Sequence, residues 1–291
     1  MKHLFLIFFI GISISLHTGQ LQAQSLEVGL GFGLSTYDGE LTPPTLIGRF
    51  FILEPGVTVF SKYNFNRYLT GRFSFVATSI RGDDAKSNSP WRERRNLSFH
   101  TQIYELALMG EWNIFGFFPN KEGNSFTPYL FGGIAFFHFD PTTIFNGEVV
   151  RLQPLGTEGQ GLPQFPDRDF YSLYQISIPF GGGLKWAVSD RLTISGEIGW
   201  RKTFTDYLDD VSTTYVPYDV LLENRGELTA QVARRAWQVT GIAPEDYVPR
   251  DHERRQRGSP GTMDWYITGF VKLSYQLYMS DLTANRTNCK F

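Results

Sequence analysis

A strict two-residue alternation opens the chain's first folded segment and limits it more than any other feature. Leu26, Val28, Leu30, Phe32 and Leu34 fall on one face, and Glu27, Gly29, Gly31, Gly33 and Ser35 on the other. Successive side chains of a strand point to opposite faces, so the segment is a strand with one apolar and one polar or glycine face. The last regular segment reads the same way. Trp265, Ile267, Gly269, Val271, Leu273, Tyr275 and Leu277 share a face, while Tyr266, Thr268, Phe270, Lys272, Ser274 and Gln276 share the other. Six further strands are expected near Val57–Tyr63, Tyr68–Ser79, Phe99–Ile114, Pro128–Phe139, Tyr171–Val188 and Leu192–Phe204.

The connections separate a barrel from a soluble sandwich. Four are long (Thr36–Gly56, Ile80–Ser98, Asp140–Phe170, Thr205–Asp264), and the three between them are shorter (Asn64–Arg67, Phe115–Thr127, Ser189–Arg191). Long–short alternation belongs to outer-membrane barrels, which carry long loops outside and short turns in the periplasm. The expected fold is therefore all-β: an eight-stranded antiparallel transmembrane barrel with both termini in the periplasm. Within the fourth long loop, Leu228, Val232, Arg235 and Ala236 have a weakly amphipathic spacing that predicts a helix over Gly226–Val239.

Export fits this reading. Lys2 and His3 precede an apolar run from Leu4 to Leu16, and Ala23 offers a small residue for cleavage. The expected division is a signal peptide over 1–23 and one barrel domain over 24–291, with a long loop at 205–264 and a periplasmic tail at 280–291. The run is too short to span a bilayer as a helix, so insertion must use strands. Aromatics make up 16% of the chain, with 26 Phe and 14 Tyr. The mean hydropathy of −0.21 is what alternating faces average to. There are 27 basic and 29 acidic residues, a balance that does not suggest a nucleic-acid partner. The one cysteine, Cys289, has no internal disulfide partner.

The alternation assigns nine charges to the barrel interior: Glu27, Glu105, Glu111 and Glu197 against Lys62, Arg72, Lys185, Arg201 and Lys272. Buried charge is costly unless paired, and an eight-stranded barrel is only wide enough to be filled by its own side chains. A near-balanced set thus implies an ion-pair network, not a channel. Phe73, Phe75, Trp112, Trp186, Trp200, Trp265 and Tyr275 fall outward, where girdles of aromatic residues are expected.

Chemistry-bearing constellations are sparse. His100, flanked by Ser98, and His138, near Asp140, would have to converge at the rim to serve a lipid-modifying enzyme. Two rim histidines are more often interfacial, and no catalytic residue is assigned. Asp206, Asp209 and Asp210 lack the regular spacing of a calcium loop and read better as a hydrogen-bonded loop base than as a metal site. No metal or cofactor is expected. Arg92, Arg94 and Arg95, with Arg250, Arg254, Arg255 and Arg257, form two basic clusters in the second and fourth long loops. Contact with lipopolysaccharide phosphates and a solvated charged surface are both open for them.

The stretch Gly199-Trp200-Arg201-Lys202-Thr203-Phe204-Thr205-Asp206-Tyr207-Leu208-Asp209-Asp210-Val211-Ser212 resembles a signature of the PorG-like outer-membrane β-barrel proteins of Bacteroidetes. Tyr37-Asp38-Gly39-Glu40-Leu41 is similar to that family's motif after the first strand, with Glu40 at a position usually held by Asp. Pro128-Tyr129 with Gly132-Gly133, and Pro179 to Lys185, agree. The resemblance implies a non-enzymatic component of the type IX secretion system that sits among outer-membrane lipid and lipopolysaccharide and associates with periplasmic ring lipoproteins. The periplasmic turn from Phe117 and Phe118 to Gly123, and the tail Asp281–Phe291, would then be the contacting parts; membership of an aromatic girdle is equally open for Phe117 and Phe118. A surface binding or adhesion barrel is the alternative.

Overall fold

A computed structural model describes residues 25–278, apart from 44, 46, 47, 50, 51, 88, 118, 120–123 and 247–255. The expected signal peptide and the C-terminal tail lie outside the described residues. Nine strands form: β1 (Ser25–Asp38), β2 (Glu54–Asn64), β3 (Leu69–Asp83), β4 (Ser98–Asn113), β5 (Phe126–Phe145), β6 (Glu148–Arg151), β7 (Tyr174–Ala187), β8 (Leu192–Thr203) and β9 (Trp265–Tyr278). Each barrel strand pairs antiparallel with its neighbours, and β1 pairs with β9 to close the ring. The chain is an eight-stranded antiparallel β-barrel, with β6 a short addition outside the ring.

Closure is dictated by the backbone. In hydrocarbon every N–H and C=O needs a partner within the protein, and a closed ladder leaves no edge. The outer face confirms what surrounds it. Phe32, Leu108, Ile134 and Val271 are each at least 60% exposed and project outward at mid-strand. With Leu30, Val59, Phe73, Ile176, Ile198 and many more, they make an apolar belt far larger than a soluble protein tolerates. Among the described residues no helix is long and apolar enough to cross a membrane; the strands cross it.

Several strands run further than the alternation suggested. β3 continues to Asp83 because Ile80 and Gly82 keep facing inward while the chain still pairs with β4. β5 extends to Phe145 and turns through Asn146 and Gly147, both at positive φ (51° and 86°), into β6. Positive φ at both central residues defines the tight hairpin turn that Asn-Gly favours. A short α1 (Pro90–Arg95) lies in the second long loop and α2 (Tyr218–Arg225) in the fourth, and the single helix expected over Gly226–Val239 is instead two: α3 (Glu227–Ala233) and α4 (Trp237–Thr240). Gly226 at φ 85°, ψ 173° separates α2 from α3, and Arg234 at φ −134°, ψ 82° ends α3.

The main apolar core is not at membrane depth. It fills the mouth at the long-loop end, where Leu41, Leu208, Val211 and Val232 from the loops pack among Ile80, Phe99, Ile103, Phe137 and Phe139 of the strands. The fourth long loop therefore folds into the barrel as a cap. Thr101 Oγ1 donates to the Leu208 carbonyl at 2.8 Å, fixing the inserted segment to β4.

Leu108→Arg distinguishes this barrel from a soluble sheet. At a 60% exposed position of a soluble protein, arginine would be harmless. On the lipid face near the bilayer centre it costs about 2–4 kcal/mol. We expect a lowered urea midpoint for refolding into lipid vesicles, followed by the mobility difference between unheated and heated samples on SDS gels.

Candidate functional site

Two polar systems lie on the barrel axis. The first fills the membrane-embedded lumen. All nine inward charges are at most 5% exposed. Glu111 gathers three cations: Arg72 at 2.9 Å, Lys62 at 3.4 Å and Lys185. Arg72 reaches on to Glu197 at 2.6 Å, where Lys272 and the Tyr129 hydroxyl (2.6 Å) also converge. Higher in the barrel Arg201 pairs with Glu105 at 3.3 Å, and the Tyr266 hydroxyl donates to the same carboxylate. Glu27 stands apart: it accepts from Asn64 Nδ2 at 2.7 Å and Ser274 Oγ at 3.0 Å. Strand register explains the convergence, since Lys62 lies opposite Glu27 on β1 and Arg72 on β3. The lumen is packed with paired charge.

Phe117 does not face the periplasm as an exposed contact. Gly116, at φ 71°, turns the chain inward, and Phe117 is buried beneath Lys185, whose Nζ sits 5.9 Å from the ring centroid. Phe118 lies outside the described residues.

The second system is the base of the cap. Tyr37, at the end of β1, points its hydroxyl at Asp209 Oδ2 and Asp264 Oδ1, both at 2.7 Å. Leu208 N–H donates to Asp264 Oδ2 at 2.9 Å, and Val211 N–H to Asp209 Oδ1 at 2.9 Å. Glu40 Oε1 accepts from Ser259 N–H at 2.9 Å. Asp206 is buried beside them. Gly39 is required here: a Cβ would lie 2.0 Å from the Tyr37 hydroxyl and 2.1 Å from Asp264 Oδ1. Burial raises these carboxyls and their mutual repulsion adds to it. Asp206 is pushed up to about 8 by burial and the Glu40 charge. Asp209 is raised by burial and Asp264, and Asp264 by burial and Glu40.

A third knot joins the loops above this base. Glu158, from the loop after β6, accepts Ser212 N–H (3.0 Å), Thr213 N–H (2.9 Å), Thr213 Oγ1 (2.7 Å) and Arg257 Nη1 (3.0 Å). Asp210, at φ 63°, accepts from Thr157 Oγ1 at 2.5 Å and Tyr171 Oη at 2.8 Å and pairs with Arg257. Its carboxyl is raised to about 6 by burial, against the pull of Arg257. Tyr207 stacks on Tyr171 at 4.5 Å. Arg95 clasps Asp84 through two nitrogens (2.6 and 2.8 Å) and donates to the Arg257 carbonyl.

Sequence motifs thus meet in space, but not as the groups they form in sequence. Tyr37, Glu40, Asp206 and Asp209 come together, joined by Asp264. Asp210 and Tyr207 belong to the Glu158 knot. Asp264 was legible by extending one ladder: Asp38 pairs with Trp265, so Asp264 must lie beside Gly39. Glu158 carries no sequence signal. The two basic clusters are not intact surface patches, because Arg95 and Arg257 are buried in these ion pairs; Arg250, Arg254 and Arg255 lie outside the described residues. His100 and His138 do not converge. His138 faces Tyr104 across the ladder and packs against Tyr174 with its ring tilted by 56°, while His100 faces Thr142. Four residues of strand separate them, about 13 Å.

Residues 2–154 match the family described as "Domain of unknown function (DUF6089)". The chain belongs to this family. The match reaches from before β1 through β6, leaving β7, β8, β9 and the capping loop beyond it. No curated protein matches the sequence. Among solved structures the chain is similar to OprG, an outer membrane protein of Pseudomonas aeruginosa, at 7% identity over 88% of this chain and 96% of that one, with a TM-score of 0.43. Ail, the attachment invasion locus protein of Yersinia pestis, is 10% identical over 88% and 100%, with a TM-score of 0.39. Neisserial surface protein A is 6% identical over 86% and 96%, with a TM-score of 0.40. At these identities the likeness is one of fold.

Two substitutions test the two systems separately. Glu111→Ala leaves Lys62 and Lys185 without their carboxylate and Arg72 with one of two; breaking such a buried set costs about 3–5 kcal/mol, read as a lowered urea midpoint. Glu158→Ala removes the acceptor of five donors in the cap, the Tyr207 hydroxyl at 3.3 Å among them, and none in the membrane. We expect trypsin to cut the fourth long loop on intact cells while the unheated barrel keeps its mobility on SDS gels.

Proposed function

We propose that this family member is a sealed, non-enzymatic outer-membrane barrel that anchors or assembles the type IX secretion machinery, contacting its periplasmic ring lipoproteins. The observation that carries the non-conducting half of this reading is the lumen. Three acids and five bases interlock across it, with Glu27 held by neutral partners, and an apolar plug from the loops closes its mouth. A barrel spent on filling itself has no bore for a solute and is suited to hold position in the membrane. The secretion half is supported by the resemblance of the Gly199–Ser212 stretch and the Tyr37–Leu41 motif to PorG-like proteins. In this structure those two stretches are the parts that build the base of the cap.

In the outer membrane the barrel's belt would lie against lipid, and its rim against lipopolysaccharide. Signal-peptide cleavage after Ala23 belongs to the same proposal. A rim enzyme is disfavoured by the separation of His100 and His138. A surface-binding barrel remains the second reading, favoured by the exposed β5–β6 hairpin, where Ile144 and Val149 are 64% and 71% exposed.

Affinity purification of the tagged full-length chain from detergent-solubilised outer membranes, with mass spectrometry of what accompanies it, tests the proposal. Recovery of periplasmic ring lipoproteins and other secretion components is the expected result. Recovery of the barrel alone, or with lipopolysaccharide only, would remove the secretion role and leave the surface-binding reading.

A further inference from the structure

The base of the cap holds more negative charge than the protein neutralises. Glu40, Asp206 and Asp264 each bring a carboxylate oxygen within 4.8 Å of the other two. Among the described residues no lysine or arginine forms an ion pair with any of them. The nearby guanidinium groups are committed elsewhere: Arg95 to Asp84, Arg257 to Glu158 and Asp210, and Arg92 to the Thr42 carbonyl at 2.6 Å. Asp264 and Glu40 have some of their oxygens satisfied by the Tyr37 hydroxyl and by backbone N–H groups.

Asp206 has less. It is 4% exposed, and neither of its carboxylate oxygens makes a well-formed hydrogen bond; only the Ser212 side chain lies close enough to lower its carboxyl. Glu40 Oε2, on the same cluster, is buried without a hydrogen-bond partner. An enclosed carboxylate short of donors is among the costlier arrangements a protein can keep. The orphaned oxygens of Asp206 and Glu40 belong to the set whose ligand atoms approach one another with Asp264.

We propose that Glu40, Asp206 and Asp264 form a binding site for a divalent cation, calcium in this extracellular position. Hard cations take oxygen ligands, and calcium–oxygen distances of about 2.3–2.6 Å allow two ligands on one ion to sit up to about 5 Å apart. The 4.8 Å limit on this set falls within that span. Three carboxylates leave room for water to complete the six to eight ligands that calcium takes. The cluster borders solvent at Glu40, which lines a surface cleft of 360 Å³ together with Asp38, Gly39, Arg92 and Ser259. The site joins the first loop, the start of the fourth loop and the residue preceding β9. Calcium would therefore clamp both ends of the capping loop to the end of β1.

The test is calcium binding by the purified full-length chain in detergent, measured by equilibrium dialysis with radioactive calcium after EDTA treatment. One ion per chain is expected, saturating in the range of about 0.1–1 mM typical of extracellular sites. Asp206→Asn and Glu40→Gln should each weaken binding at least about tenfold, a loss of about 1.4 kcal/mol. Asp38→Asn, whose carboxylate pairs with Arg49 at 3.1 Å, should leave it unchanged. Unheated mobility on SDS gels verifies that each variant is folded, and asparagine at 206 keeps the size of the side chain and one of its oxygens while removing its charge. Calcium should also slow trypsin cleavage of the fourth loop in the wild type but not in Asp206→Asn. Absence of saturable calcium uptake by the wild type, or uptake equal in all the variants, would overturn the proposal and leave the cluster neutralised by protons.

Discussion

Everything in this molecule follows from closing a sheet in hydrocarbon and then having to fill it. Pairing β1 with β9 satisfies the backbone but creates a narrow interior that neither lipid nor bulk water can occupy. The chain fills it with charge. Arg72 is the hinge of that solution, because its guanidinium is shared between Glu111 and Glu197 and so joins two clusters whose charges come from six strands. Planar, permanently charged and able to serve two carboxylates, arginine suits that position as lysine does not. Such a network adds little net stability over an apolar filling, yet losing one member leaves its partners buried and unpaired. The register of the barrel is thereby specified by charge as well as by hydrogen bonds, since slipping a strand by one residue would turn its charges into lipid.

The barrel was legible in the sequence because period-two alternation is a local property, and Leu26 to Ser35 or Trp265 to Leu277 display it without reference to anything else. Once faces are assigned, Glu111 and Lys185 necessarily point inward; which of them meet depends on strand order and tilt, which no single strand records. The ends of strands were harder. β3 continues past Ser79 only because β4 offers it partners, and β5 turns at Asn146-Gly147, a local signal sitting inside what reads as a long loop. The cap was least legible. Glu158 owes its importance to five donors that arrive from two other stretches of chain, and nothing in Thr157-Glu158-Gly159 announces them. Arg95 and Arg257 illustrate the reverse error, since a run of arginines reads as surface charge until a buried carboxylate is found beside it.

The positions of core and charge are inverted relative to a soluble protein. Charged residues occupy the centre of the barrel, apolar residues its outside, and the largest apolar cluster among the described residues sits at the mouth, where strands and loops meet. That cluster makes the cap part of the fold. Leu208 and Val211 are held in it by the same short segment that supplies Asp206, Asp209 and Asp210, so the loop base cannot shift without pulling apolar side chains out of the mouth. This coupling accounts for why a stretch with no sign of catalytic chemistry carries so many buried polar groups: they orient the plug.

Charge is also sorted along the axis. The lumen holds one more base than acid, while the base of the cap gathers Glu40, Asp206, Asp209 and Asp264 with a single phenol, Tyr37, between two of them. The excess positive charge below does not cancel the negative charge above. Lys62, Arg72, Lys185 and Lys272 lie with Glu111 and Glu197, and the aromatic layer of Phe99, Phe137 and Tyr266 stands between that level and the cap. Ion pairs act at contact distances, and each lumen cation already has a carboxylate in contact. The carboxylates of the cap must therefore be neutralised where they stand. Tyr37 has one proton to offer two of them and Asp206 has only the Ser212 side chain beside it, so protons or the proposed cation must supply the rest from the side of the loops.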